Sequence, residues 1–381
     1  MPARPRILLV EEASETGGAV MSLESLLPDG PADSRYDFSV ALGGSGGARE
    51  RLIARGADVH VVPVQGWRWF EKFRPSLAGS LPLQAASLAR WRRFLRRMAP
   101  AVVHLNNNRL IDPLIAARSL RLPVVVHFRD IPSHSTTPFL AGARAYYAMM
   151  NRASMWIANS SATEADIRPH ARVPVVAIPN GLDIAAFDRR AADARAEAPH
   201  SGAHVAMVAL INKWKRYEDF IDVAEAVLRR QPDVRFSIAG SGSESYVREL
   251  RARADAKGLT RALFFTGHVD NVPAFLRTVD ILVHTTNPEP FGRVFLEAMA
   301  ARRPAVAFRS GGAAEIVVDN ETGLLVPPSD NALMADAILK LLADPDMRAR
   351  FGDAGRRRVE TCYSTERYRA SVMAQYETLL A

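Results

Sequence analysis

The chain has 381 residues, 48% of them hydrophobic and 24% charged, enough for two domains each with its own core. A single cysteine, Cys362, excludes an internal disulfide and a thiolate metal cluster and fits a reducing compartment. The formal charge of +8 suits a polyanionic partner, yet only five lysines stand among the 49 basic residues, so the excess also fits a plain bias toward arginine, and by itself it assigns no nucleic-acid partner.

The opening "MPARPRILLVEEA" carries a four-residue apolar run, too short for the apolar region of a secretion signal, and no stretch approaches 18 uncharged apolar residues. A cytoplasmic protein is expected. In chain order, short apolar runs rich in β-branched residues alternate with helix-length segments: "RILLV" (6–10), "FSVAL" (38–42), "VHVVPV" (59–64), "AVVHL" (101–105), "VVVHF" (124–128), "MWIAN" (155–159) and "VVAI" (175–178). These read as buried parallel strands. Gly17 and Gly18 follow the first, either a plain turn into a helix or a place where backbone approaches a ligand closely. His127 closes the fifth, where it is expected to face the ligand-bearing ends of the strands. Arg129 and Asp130 beyond it form an ion pair or touch a ligand, and sequence leaves both open.

Two basic segments of the first half stand out. "GWRWFEKFRPSLAG" (66–79) mixes Trp67, Trp69, Phe70 and Phe73 with Arg68, Lys72 and Arg74, a composition that suits contact with an anionic lipid surface. "ARWRRFLRRMAP" (89–100) carries five arginines, but Leu88, Trp91 and Leu95 mark it as a crossover helix packed on the sheet.

The stretch 188–203 is polar and alanine-rich and reads as a linker. A second βα series follows: "HVAMVAL" (204–210), "VRFSIAG" (234–240), "ALFFTG" (262–267), "DILVHTT" (280–286), "PAVAF" (304–308) and "GLLV" (323–326). Two doubly wound α/β domains with a cleft between them are expected, 1–187 and 188–363, with ligands beyond the carboxyl ends of the strands. In "NPEPFGRVFLEAMA" (287–300) the prolines end a strand and a helix begins near Phe291 or Gly292. The N–H groups of Phe291, Gly292 and Arg293 then form an anion site, uncrowded at Gly292. Glu289 lies on its rim. Glu297, among Leu296, Ala298 and Met299, needs a partner: a ribose hydroxyl pair, or Arg293 one turn back.

"EPFGRVFLEAMA" resembles the E-x7-E signature of the retaining GT-B glycosyltransferases of family four. "IPNGLDIAAF" (178–187), "IAGSGSESYVREL" (238–250), "FTGHVDNVPAFLRTVDILVHTT" (265–286) and "GGAAEIVVDNETGLLVPPSD" (311–330) continue the resemblance, and "GGAVMSL" (17–23) and "VVVHFRD" (124–130) extend it into the first half. It implies a GT-B enzyme that moves a sugar from a nucleoside diphosphate to a glycan or lipid-linked acceptor in cell-surface polysaccharide or glycolipid biosynthesis. Glu289 would contact the donor sugar, Glu297 the ribose, Lys215 the diphosphate and His127 the transferred sugar. Gly17, Gly18, Gly240, Val269, Phe291, Gly292 and Arg293 would line the donor site. The terminal helix (364–381), opened by Ser364, would return to the first domain. The sequence departs from the family at Ala209 and Leu210, which stand where a Gly-Arg pair is common, so a second phosphate cation comes from Arg216 or Arg293 or is absent. The only D-x-D, "DPD" (344–346), reads as a helix boundary capped by Asp344 or Asp346, and metal-independent transfer is expected. No G-x-G-x-x-G follows a strand, which disfavours an oxidoreductase. A non-catalytic sugar-nucleotide-binding protein is the remaining alternative.

Overall fold

The computed structural model describes residues 4–13, 17–28, 35–65, 77–134, 142–192 and 202–381. Among these, thirteen strands form two wholly parallel sheets, each strand within three residues of its sequence-predicted place. The first sheet comprises β1 (Arg6–Glu11), β2 (Asp37–Leu42), β3 (Asp58–Val61), β4 (Val102–Leu105), β5 (Val124–Phe128), β6 (Met155–Ala158) and β7 (Val175–Ala177), in the order β3-β2-β1-β4-β5-β6-β7. The second comprises β8 (His204–Val208), β9 (Arg235–Ala239), β10 (Leu263–Gly267), β11 (Ile281–His284), β12 (Ala305–Phe308) and β13 (Gly323–Val326), in the order β10-β9-β8-β11-β12-β13. Both orders grow outward from the first strand of the series in two directions, which is the doubly wound, Rossmann-like arrangement. Central strands such as β5 are buried along their whole length, because helices cover both faces of a parallel sheet.

The chain divides into two compact units, Met1–Gly181 with Thr365–Ala381, and Leu182–Ser364. In the first, one sheet face packs Leu8, Val10, Val103, Val126 and Phe128 against Trp91 and Leu95 of the helix Leu77–Met98. That helix is therefore the crossover helix its apolar positions announced. The other face packs Leu9, Val125 and Ile157 against Tyr368, Val372 and Tyr376 of the helix Thr365–Leu380. In the second unit the sheet is covered by Phe220 and Leu250 on one face and by Phe295, Leu296 and Met299 on the other.

Residues 188–192 are not linker. They complete the helix Ile184–Ala192, which buries Phe187 and Ala191 in the second unit and is tied there by Asp188 to Arg356 at 2.7 Å and by Asn271 Nδ2 donating to the Arg190 carbonyl. Its alanines and arginines carry little β or turn signal, and the burial of two residues on one face is what makes it a packed helix. Residues 193–201 and the aromatic segment 66–76 lie outside the described residues. Asp344 caps the helix Pro345–Cys362, its Oδ1 accepting from the Met347 N–H at 2.8 Å. Among the described residues no helix is long and apolar enough to cross a membrane.

Candidate active site

In the second unit the loops after β8 and β11 bring two of the expected residues together. Lys215 lies in a single helical turn, Lys213–Lys215, opened by Asn212, whose side chain accepts from the Lys215 N–H. Its Nζ donates to Glu289 Oε2 at 2.6 Å, with the two side chains only 18% and 7% exposed. Burial pushes the Glu289 carboxyl up, but Lys215, then His284 and the Phe291 N–H, outweigh it and hold the group below the ordinary carboxylate range. Glu289 is thus an ionised, nearly buried carboxylate beside a cation.

The loop that carries Glu289 is seated on two glycines of the next strand's loop. Gly312 N–H donates to the Glu289 carbonyl at 2.7 Å, and Glu289 and Gly311 form an isolated parallel bridge. A Cβ on Gly311, whose φ is +59°, would stand 2.0 Å from the Glu289 carbonyl oxygen, and one on Gly312 2.5 Å from the Phe291 Cα. The pair "GG" therefore acts as a socket for the Glu289 loop.

The structure corrects the expected anion site. The helix begins at Arg293, and Gly292, at φ +87°, caps it. Gly292 is bounded by the Phe295 ring and Glu289 Cγ, 2.5 and 3.1 Å from where a Cβ would be, so packing by itself also requires glycine there. The Phe291 N–H bonds to the Glu289 carboxylate, and the Phe291 side chain is core, 6.4 Å from the Tyr363 ring centroid. Both alternative phosphate cations have acidic partners: Arg216, in left-handed backbone before the helix Tyr217–Leu228, donates to Asp219, and Arg293 Nε lies 3.3 Å from Glu297 Oε1. Burial raises the Glu297 carboxyl above its ordinary value against the opposing pull of Arg293. Leu210, where the resemblance leads one to expect arginine, is 61% exposed. Gly240, at φ +150°, has a packing reason as well, since a Cβ there would sit 1.9 Å from the Ala209 carbonyl oxygen. Val269 is half-buried in the loop after β10.

In the first unit His127 is not open at a strand end. Alternation along β5 sends Val124, Val126 and Phe128 to one face and Val125 and His127 to the other, beneath the terminal helix. The ring is fully buried: Nδ1 lies 3.3 Å from His104 Nε2, and His104 Nδ1 lies 2.6 Å from the Tyr376 hydroxyl. Burial, with Arg129 adding to it, holds both imidazoles neutral, His104 at about 3 and His127 well below its usual value. Arg129 and Asp130 do not pair with each other. Arg129 donates to the Asn106 carbonyl and side chain, to Asn180 Oδ1 and to the Tyr368 hydroxyl, while Asp130 accepts from Asn108 at 2.9 Å and faces Arg109 at 3.9 Å. Glu11, 1% exposed, gathers the side-chain amides of Asn106 and Asn107 and the N–H groups of Glu12 and Ala13. Sequence reasoning leaves this network out. Three consecutive asparagines directly after a buried strand are the signal that marks it, because short amides there serve to close backbone turns and satisfy buried acceptors. Gly17 and Gly18 are exposed, and a Cβ added at either would meet nothing within 4 Å, so packing within the described residues does not demand glycine there.

Two Rossmann-like domains, the second carrying a buried carboxylate–lysine pair at the ends of its central strands, define a GT-B glycosyltransferase architecture. The family description "Glycosyltransferase Family 4" matches residues 48–186 and "Glycosyl transferases group 1" matches 188–358. The chain belongs to this family of retaining glycosyltransferases. It is similar to the alpha-D-kanosaminyltransferase of Streptomyces kanamyceticus, 27% identical with 91% of each chain covered, and to a lipopolysaccharide core biosynthesis mannosyltransferase of Rhizobium leguminosarum bv. viciae, 26% identical over 77% of this chain and 82% of the relative. In fold it matches HepE of Anabaena, crystallised with UDP and glucose, at a TM-score of 0.82 and 24% identity, covering 98% of this chain and all of the other.

Proposed function

We propose that this glycosyltransferase takes its sugar from a nucleoside diphosphate and delivers it, with retained anomeric configuration, to a glycan or lipid-linked acceptor of cell-surface polysaccharide or glycolipid biosynthesis. The observation that carries the reading is the 2.6 Å pair of Lys215 and Glu289 at adjacent strand ends. A carboxylate held ionised in a nearly dry pocket is suited to gripping sugar hydroxyls, and the cation beside it to meeting the charge that develops on a departing diphosphate. Glu297, whose carboxyl is raised by burial and pairs with Arg293, takes the ribose hydroxyls. Lys215 supplies the charge that a divalent ion supplies elsewhere, so transfer proceeds without metal. The names of the relatives, a core-lipopolysaccharide mannosyltransferase among them, support an envelope acceptor. The aromatic and basic segment 66–79 supports docking of that acceptor at the inner face of the membrane.

The test is hydrolysis. Purified chain incubated with a panel of nucleotide sugars is expected to release nucleoside diphosphate slowly without acceptor, to do so equally in excess chelator, and to lose the activity in Glu289→Gln. Failure of every nucleotide sugar to bind or turn over refutes the donor reading. Activity abolished by chelator and restored by Mg²⁺ or Mn²⁺ refutes the metal-free account.

A further inference from the structure

Glu289 Oε2 has a second nitrogen neighbour. His284, the last residue of β11, places Nε2 3.7 Å from the oxygen that Lys215 Nζ holds at 2.6 Å. It is 2% exposed, and its ring packs 5.2 Å from Phe295 of the helix Arg293–Ala300. The preceding residues Ile281, Leu282 and Val283 are apolar and fully buried, as a central parallel strand requires. An imidazole in their company carries a desolvation cost unless its nitrogens are used. Burial, with Lys215 adding to it and Glu289 opposing, brings its pKa down to about 4, so near neutrality the ring is an uncharged donor.

We propose that His284 is a positioning residue for Glu289, one that takes over its carboxylate when Lys215 turns to the donor. The inference rests on the nucleotide-sugar reading above. One ammonium cannot serve Glu289 and an incoming diphosphate at full strength, and the surrounding backbone is fastened. Thr285 Oγ1 donates to the carbonyls of Lys215 or Arg216 at 3.1 and 2.9 Å, and Gly312 holds the Glu289 carbonyl. The side chains are left to move. When Nζ swings toward phosphate, a small rotation of Glu289 brings Oε2 within hydrogen-bond reach of His284 Nε2–H, which keeps the carboxylate ionised and aimed. Lys215 and Glu289 are the charged groups that face His284.

Three substitutions in the full chain decide it. His284→Gln carries an amide to the place of Nε2, His284→Asn stops at the place of Nδ1, and His284→Met fills the volume without a donor. With turnover of a nucleotide sugar as the readout, His284→Met and His284→Asn are expected to lower kcat about tenfold and to move the acid limb of its pH profile up by about one unit, the worth of one hydrogen bond to a charged group. Nucleoside diphosphate affinity by calorimetry falls as well, by up to about tenfold, since the carboxylate that Lys215 leaves then has no donor, and His284→Gln keeps the wild-type limb and affinity. If His284→Met does not fold, the glutamine and asparagine pair decides alone. Wild-type profiles in all variants, or equal losses in His284→Gln and His284→Asn with no movement of the limb, overturn the proposal and leave a packing role. A wild-type chain that turns over no nucleotide sugar sinks the donor reading itself, a distinguishable failure.

Discussion

The ion pair of Lys215 and Glu289 offers a test with a calculable size. At 2.6 Å, two unit charges attract by about 6 kcal/mol at an effective dielectric constant of about 20, most of it offset by the cost of taking both from water. Removing one partner keeps the desolvation and loses the attraction, which for buried pairs costs about 3–5 kcal/mol. Glu289→Gln preserves shape and can still accept from the Phe291 N–H, and Lys215 retains 18% exposure, so the lower end, about 3 kcal/mol, is expected. For a unit of this size that lowers the melting temperature by about 6–12 °C. A nucleoside diphosphate restores negative charge beside Lys215, so its stabilising effect in thermal unfolding should be greater in Glu289→Gln than in the wild type, while turnover falls by about 10²–10³. The double variant Lys215→Gln/Glu289→Gln removes both charges and should be more stable than the sum of the single effects predicts, by at least about 1 kcal/mol. Urea unfolding of the four proteins measures this. If the single effects add to the double within about 0.5 kcal/mol, the two groups do not interact and the electrostatic link between them is refuted.

Gly311→Ala places a methyl group 2.0 Å from the Glu289 carbonyl oxygen in left-handed backbone, so turnover should drop at least tenfold with the melting temperature, and a variant with normal turnover would remove the socket from the account. Acid should destabilise the protein well above the carboxylate range: His104 and His284 hold folded values of about 3 and about 4, and His127 is also depressed, whereas the unfolded chain protonates near about 6.5. Stability is therefore full above that pH and falls as pH drops toward the folded values, by up to about 1.4 kcal/mol per unit for each histidine, and a urea midpoint unchanged between pH 7 and pH 5 would contradict it. Glu289, depressed, adds its loss only at still lower pH, while Glu297, raised, works in the opposite direction. Replacing Trp67, Trp69 and Phe70 by serine should abolish transfer to the natural acceptor and sedimentation with anionic vesicles while sparing nucleotide affinity. Normal transfer by the folded triple variant places the acceptor elsewhere, and unfolding makes these aromatics core.

Much of the architecture was legible because it is written in local period. Runs of four to seven mostly apolar residues between amphipathic segments locate all thirteen strands of the described residues, and prolines and a cap such as Asp344 mark where helices stop and start. Glu289 could be singled out because it stands just beyond a strand end in an α/β pattern, Glu297 because it is a carboxylate within an apolar helical run, and Lys215 through the family resemblance in a chain where lysine is scarce. Partnership is a different matter, since it depends on which distant backbone arrives alongside. Nothing near Gly240 or Gly311 in the chain says that Ala209 or Glu289 fills the space a Cβ would need, so Gly240 reads as a site of ligand approach and Gly311 only as part of a motif. The face on which His127 lies follows from strand alternation, but that the face is roofed by Tyr368 and Tyr376 follows from the return of a helix some 240 residues later. The preference of Arg129 for Asn106, Asn180 and Tyr368 over its neighbour Asp130, and of His284 for the carboxylate five residues on, is likewise a matter of three-dimensional proximity. Local free energies of strand and helix are encoded within a few residues, whereas the desolvation and pairing that decide what a buried polar group does are set by the assembled core.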